Sequence, residues 1–85
     1  MKLRKLLKKL SMGALQNVPF SDMIKLVEAF GFRLARVSGS HHIFVHPALP
    51  ELINLQEVKG EAKPYQIRQL LRLVERYNLG LEEKE

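Results

Sequence analysis

The sequence predicts a small α+β domain: a three-stranded antiparallel sheet with two helices on one face, preceded by an extra N-terminal helix. Segments rich in β-branched and aromatic residues lie together in the middle of the chain, at about residues 32–37, 41–46 and 52–58. Segments with apolar residues at helical spacing lie before and after them. Because the strands are grouped rather than alternating with helices, we expect one face of the sheet to be covered and the other to be open.

Composition limits the class of protein. The 85-residue chain has 14 Lys and Arg residues against 9 Asp and Glu residues, a net charge of +5, which favours a polyanionic partner, nucleic acid first. It has no cysteine, which excludes disulfides and thiolate metal sites. No apolar run approaches the roughly 20 residues that span a bilayer, so we expect a cytoplasmic protein without a membrane partner.

Charge and apolar pattern divide the chain into three parts: residues 1–20, a basic amphipathic helix and a loop; residues 21–80, the main domain; and residues 81–85, an acidic tail. The N-terminal helix carries a single stripe of leucines at Leu3, Leu6, Leu7 and Leu10. We interpret the stripe as docking on the core or on a partner, including a second copy of the chain. A basic arm on RNA and a helix on a membrane surface are the alternatives.

Two further helices flank the predicted strands. The first covers about residues 22–30, with Ser21 as its N-cap and Gly31 as its left-handed end. The last begins at Pro64 and ends near Asn78. It carries an arginine at every fourth position, Arg68, Arg72 and Arg76. We interpret these arginines as a solvated stripe, with phosphate binding as the alternative.

The first two strands are predicted to form a hairpin. In the first strand, regular alternation places Phe32 and Leu34 on one face and Arg33, Ala35 and Val37 on the other. The turn at residues 38–40, Ser-Gly-Ser, leads directly into the second strand. Two strands joined by so short a turn pair with each other.

All three histidines lie on or beside the second strand. His41 and His42 follow the turn, and His46 precedes Pro47, which ends the strand. Alternation places His41 on one face and the other two histidines on the opposite face. Imidazoles titrate near neutral pH, which suits proton transfer. We interpret His46 as structural, and because neighbouring histidines diverge and no carboxylate lies near them in sequence, we predict no zinc site and no cofactor.

The order of elements and the run from Gly39 to Phe44 together resemble the HicA toxins of type II toxin–antitoxin systems. The likeness extends over about residues 21–79. It includes the Ala-Phe-Gly-Phe segment at 29–32, the Gly-Ser-His turn, the His46-Pro47 pair and a last helix entered through Lys63. The Gly-Ser-His turn is the most specific of these features.

This resemblance implies a double-stranded-RNA-binding-like (dsRBD-like) fold and a ribosome-independent endoribonuclease that cleaves mRNA. A HicB-like antitoxin would neutralise it by covering the active site. The resemblance assigns the cleavage to His41, with His42 as the next candidate. Two segments depart from the pattern of many HicA proteins: residues 54–58 replace a Val-Pro-x-His segment, and Tyr65-Gln66 replaces a Gly-Thr pair.

In the implied reaction, a neutral imidazole removes the proton of a 2′-hydroxyl, which attacks the adjacent phosphorus without a metal ion. General-base catalysis of this kind contributes typically 10²–10⁴-fold. Arg33, Arg36, Lys63 or the second histidine would neutralise the phosphate or protonate the leaving oxygen, and the sequence does not choose among them. The predicted RNA contacts, mostly basic, are Arg33, Arg36, Ser40, Lys59, Lys63 and Arg68.

Two other classes of function remain open from the sequence. A non-catalytic RNA-binding domain would keep the fold and the charge without the chemistry, and the departure at residues 54–58 motivates this alternative. A protein-interaction module would instead form a dimer through the N-terminal leucine stripe.

Overall fold

The computed structural model describes residues 3–81. Its helices and strands are α1 (Leu3–Ser11), α2 (Phe20–Ala29), β1 (Arg33–Ser38), β2 (His41–Val45), β3 (Leu52–Val58), β4 (Glu61–Ala62) and α3 (Pro64–Tyr77). The predicted α+β class is confirmed. The sheet gains a short fourth strand, because the end of the predicted turn at 59–62 pairs with β3. The predicted acidic tail, apart from Leu81, lies outside the described residues.

The four strands are antiparallel, and their order in the sheet follows the chain, β1-β2-β3-β4. In the central pair, His41 lies opposite Gln56, and Phe44 lies opposite Ile53. Strand β1 forms one edge, and all six of its residues are exposed. The helical layer therefore covers β2 and β3, while β1 extends beyond it.

The core lies between the helices and one face of the sheet. The largest fully buried side chains come from both layers and are Leu10, Met23, Leu26, Val27, Phe32, Phe44, Ile53, Leu55, Ile67 and Leu70. Full burial of an apolar side chain of this size contributes about 1.5–3 kcal/mol relative to leaving it exposed. These contacts fix the positions of β2, which carries His41 and His42, and of β3, which pairs with it.

Helix α1 packs against α2. Leu6 and Leu10 are buried, and Leu3 and Leu7 lie half-buried beside them. Among residues 3–81, no helix is long and apolar enough to cross a membrane. Leu6 and Leu10 thus belong to the hydrophobic core of the same chain.

Helix α2 begins at Phe20, because the chain just before it is paired with β4. The Phe20 N–H donates to the Gly60 carbonyl at 2.8 Å, and the Ala62 N–H donates to the Val18 carbonyl at 3.0 Å. Among residues 3–81, no side chain donates or accepts a capping hydrogen bond at the start of this helix. The prediction that Ser21 is the N-cap was therefore wrong: a contact distant in sequence sets the start of the helix.

A β-bulge in β1 changes which of its side chains share a face. The pairing with β2 shifts by one residue at Ala35, between Leu34 and Arg36. Because the bulge inserts an extra residue, the alternation reverses beyond it. Arg36 therefore shares a face with Arg33, where regular alternation would place Val37. The predicted facing of Val37 was wrong, and the bulge brings two arginines together.

Candidate active site

The candidate site lies on the open face of the sheet, which is the face opposite to the one that packs against the helices of residues 3–81. The strand register assigns to it nine side chains of β1, β2 and β3: Arg33, Arg36, Ser38, His41, Ile43, Val45, Leu52, Asn54 and Gln56. None of these residues is buried. The open face combines one histidine, two arginines and several polar groups, with apolar side chains at the end farthest from the histidine.

His41 stands at the first position of β2, directly after a tight turn. Gly39 has a φ of +60°, a left-handed conformation that glycine adopts without a steric penalty. The carbonyl of Ser40 accepts a hydrogen bond from the Glu57 N–H at 3.0 Å, which ties the turn to the end of β3. His41 also has a strand partner on each side. The backbone that carries its ring is therefore held from both directions.

The half-buried ring of His41 makes a hydrogen bond on the open face. Its Nδ1 atom lies 3.1 Å from the side-chain oxygen Oδ1 of Asn54. Asn54 lies opposite Ile43 on β3, so it is the diagonal neighbour of His41 across the strands. A carbonyl oxygen only accepts hydrogen bonds, so Nδ1 is the donor, and the lone pair of the neutral ring is on Nε2.

His42 points to the opposite face, toward the helices. Its ring centroid lies 4.8 Å from that of Phe20 in an edge-on arrangement, and its Nδ1 lies 3.3 Å from the Ser40 carbonyl. The ring is half-buried beside the core. The two candidate histidines are thus placed on different faces of the sheet, and only His41 shares a face with the arginines.

His46 lies just after β2 and contacts the connection between α2 and β1. Its ring packs edge-on against Phe32 at 5.0 Å between centroids, and its Nδ1 accepts a hydrogen bond from the Ala48 N–H at 3.0 Å. A Cβ atom at Gly31 would lie 2.9 Å from Nε2 of this ring. His46 therefore packs between the α2–β1 connection and the loop after β2, as a structural residue would.

The residues predicted to contact RNA fall into separate places. Arg33 and Arg36 lie exposed on the open face, and Ser40 lies in the turn beside it. Lys59 has a φ of +53° in the β3–β4 turn. Lys63 immediately precedes α3, with its ammonium 5.8 Å from the centroid of the Tyr65 ring.

Arg68 lies apart from these residues, on the helical side of the molecule. It lines a groove between α1 and α3 together with Leu7, Ser11 and Leu71. The structure therefore does not bring Arg68 together with the arginines of the open face. Among the described residues, no group of three or more His, Cys, Asp or Glu side chains is arranged to hold a metal ion.

Two contacts at or beside the candidate site were not predicted from the sequence. One is the hydrogen bond of Asn54 to His41, since it depends on the register between β2 and β3. The other involves Gln66, which is 3% exposed and accepts a hydrogen bond from the Gln56 N–H at 2.6 Å. This bond attaches the first turn of α3 to β3, opposite the position of His41. The available signal for Asn54 was an asparagine between two apolar residues, Ile53 and Leu55, of a predicted strand, because asparagine is depleted in strands.

The fold and the open face define a small basic α+β domain that presents a histidine beside arginines on an uncovered sheet. A family model described as the HicA toxin of bacterial toxin–antitoxin matches residues 20–75. The match covers more than half of the chain, and the chain belongs to the HicA toxin family. No curated protein and no solved structure matches it.

Membership of this family confirms the resemblance seen at the Gly-Ser-His turn. The chain is a toxin of a toxin–antitoxin system, and toxins of this family pair with antitoxins. The match begins at Phe20 and ends at Glu75, so it includes α2, the four strands and α3 up to its last two residues, but not α1.

Proposed function

We propose that the chain is a metal-independent endoribonuclease that cleaves mRNA, with His41 as the general base. The observation that carries this proposal is the position of His41. It shares the open face with Arg33 and Arg36, and the hydrogen bond to Asn54 leaves the lone pair of the neutral ring on Nε2. A base and cations on one uncovered surface are two of the components that metal-independent RNA cleavage uses.

In the proposed reaction, Nε2 of His41 takes the proton of a ribose 2′-hydroxyl. The 2′-oxygen forms a bond to the adjacent phosphorus, and the bond from phosphorus to the 5′-oxygen of the next nucleotide breaks. The products are a 2′,3′-cyclic phosphate and a 5′-hydroxyl end: the leaving 5′-oxygen takes a proton from solvent water, and the His41 imidazolium returns its proton to solvent after the products leave. Arg36 lies opposite Ile43, so it is a diagonal neighbour of His41 on the open face. It is our candidate for neutralising the charge on the phosphate oxygens.

Substrate binding is proposed to rest on the phosphate backbone. Arg33 and Arg36 supply two exposed guanidinium groups on the open face, and arginine forms bidentate hydrogen bonds with phosphates. Such contacts position RNA without reading its sequence. We propose the cytoplasm as the site of action, because mRNA is the substrate, and a HicB-like antitoxin that covers the open face as the inhibitor.

The departure at residues 54–58 favours one second candidate, a non-catalytic RNA-binding domain. In this segment Asn54 and Gln56 lie on the open face. Strand β3 contains no histidine that could serve as a second catalytic group. Without a second proton-transfer group on β3, the chain would bind RNA and leave it intact.

The test is incubation of the purified chain with RNA and with a fully 2′-O-methylated RNA of the same sequence, both in excess EDTA. We expect cleavage of the first substrate alone, with 2′,3′-cyclic phosphate ends. Cleavage of the methylated RNA, or cleavage that EDTA abolishes, would contradict the mechanism. Salt-sensitive binding of both RNAs without cleavage would support the non-catalytic alternative.

A further inference from the structure

The side chain of Asn54 holds the ring of His41 in one orientation. The pairing of Asn54 with Ile43 places it two residues along from the direct partner of His41, on the same face. At 3.1 Å, the distance from Oδ1 to Nδ1 is that of a hydrogen bond. Because the acceptor is an amide oxygen, the bond selects the neutral tautomer that carries its proton on Nδ1.

The three histidines of the chain are held differently. His46 accepts at Nδ1 from the Ala48 N–H, so its neutral ring carries the proton on Nε2 and has no lone pair available there. His42 donates from Nδ1 to the Ser40 carbonyl, but its ring lies on the helical side against Phe20. His41 combines a fixed Nδ1–H with a place on the open face.

We infer that Asn54 is a positioning residue, which sets the tautomer and the orientation of His41 so that Nε2 serves as the base. The inference rests on the proposed function of His41, but the tautomer is a property of the free protein. A histidine acting as a base is commonly oriented through the nitrogen that does not react. Here the neutral side-chain amide of Asn54 is the orienting group. Asn54 belongs to residues 54–58, the segment in which this chain departs from the pattern of many HicA proteins.

The first part of the experiment measures the tautomer directly. Long-range ¹H–¹⁵N correlation spectra of the imidazoles are recorded at about pH 8 or above, where an unperturbed imidazole is neutral. In the unmodified chain, we expect His41 to show a protonated Nδ1 and an unprotonated Nε2. Asn54→Ala removes the acceptor and should move the ring toward the Nε2–H form, whereas Asn54→Asp retains an acceptor oxygen and should retain the tautomer.

Gln56→Ala is the matched control for the spectra. Gln56 lies directly opposite His41 on the same face, so its truncation perturbs the same surface without removing the bond to Nδ1. The tautomer of His41 should be unchanged in this variant. An Nε2–H ring in the unmodified chain, or a His41 spectrum that Asn54→Ala does not alter, would overturn the inference.

The second part measures cleavage by the same variants. Asn54→Ala should lower kcat about tenfold or more, because a general base contributes 10²–10⁴-fold and the ring would spend less time in the reactive form. KM should change little, and Asn54→Asp should restore much of the rate. If His41 shows the expected tautomer and no variant cleaves RNA, the proposed function fails while the positioning contact stands. If the chain cleaves RNA and Asn54→Ala retains full kcat, the positioning inference fails alone.

Discussion

The Nδ1 atom of His41 and the Oδ1 atom of Asn54 lie 3.1 Å apart across neighbouring strands. Neither residue is near the other in sequence, and the antiparallel register of β2 and β3 brings them together. The contact lies on the open face, together with two arginines that a β-bulge places on the same side of the sheet. The bulged β1–β2 pairing and the regular β2–β3 pairing therefore both contribute to the candidate site.

Removal of a guanidinium from the open face should weaken RNA binding. The logarithm of the RNA-binding constant falls linearly with the logarithm of the salt concentration. We expect Arg36→Ala to make this slope less steep by about 0.7–0.9, the contribution of one phosphate contact. Lys25→Ala is the control, because Lys25 is exposed on α2 and its loss changes the net charge equally. Fluorescence anisotropy with a labelled RNA at several salt concentrations measures both slopes. Equal effects of the two substitutions would indicate binding by net charge alone.

Truncation of Gln66 should destabilise the junction between α3 and β3. In Gln66→Ala, the N–H of Gln56 loses its acceptor at a place that is closed to solvent, since Gln66 is 3% exposed. An unsatisfied buried donor costs about 1–3 kcal/mol. Urea unfolding followed by circular dichroism should show a free energy of unfolding lower by that amount. An unchanged midpoint would mean that water replaces the lost acceptor.

Gly31 should not tolerate a side chain. Its φ of +95° lies in a region that residues with a Cβ avoid, and the added atom would lie 2.9 Å from Nε2 of His46. We expect Gly31→Ala to lower the free energy of unfolding by about 1–3 kcal/mol, the range for backbone strain of this kind.

Gly80→Ala is the control for Gly31→Ala. A Cβ atom at Gly80 meets nothing within 4 Å, so this substitution should leave the midpoint of urea unfolding nearly unchanged. Equal stability of the two variants would show that the contact between Gly31 and His46 is not maintained in solution.

The hydroxyl of Tyr77 should increase the free energy of unfolding at neutral pH, and this increase should be lost at alkaline pH. Its hydroxyl donates to the Glu51 carboxylate, and this hydrogen bond is the main cause that raises the pKa of the phenol. Because the pKa is higher in the folded state, the contribution is complete below the ordinary phenol range and disappears as the pH rises through the raised value.

Comparison with Tyr77→Phe measures this contribution. The unmodified chain should have the higher urea midpoint near pH 8, and the difference should shrink near pH 11, where a phenol ionises. A difference that does not change between the two pH values would show that the hydroxyl contributes nothing through Glu51.

The parts of the fold that depend on local chemistry were predictable from the sequence. Pro64 begins α3, and Asn78 ends it with a φ of +51°. The Ser-Gly-Ser turn joins β1 to β2, as short turns between strand-forming segments do. These features need no knowledge of distant residues, because each depends on the backbone preference of one or two amino acids.

The parts that depend on distant hydrogen bonds were not predictable. The start of α2 is set by the pairing of residues 18–20 with β4, which overrides Ser21 as a cap. The bulge at Ala35 is a property of the β1–β2 pairing, and it decides the face of Arg36. The partner of His41 follows from the β2–β3 register, and no pattern within β2 specifies it.

The most direct test of the account is the rate of RNA cleavage by His41→Ala, compared with the unmodified chain and with His42→Ala. Circular dichroism should first show that both variants are folded. We predict that His41→Ala loses about 10²–10⁴-fold in rate, the contribution of a general base. His42→Ala, which removes a ring on the helical side of the sheet, should lose far less. A folded His41→Ala variant that cleaves RNA at the unmodified rate would contradict the account.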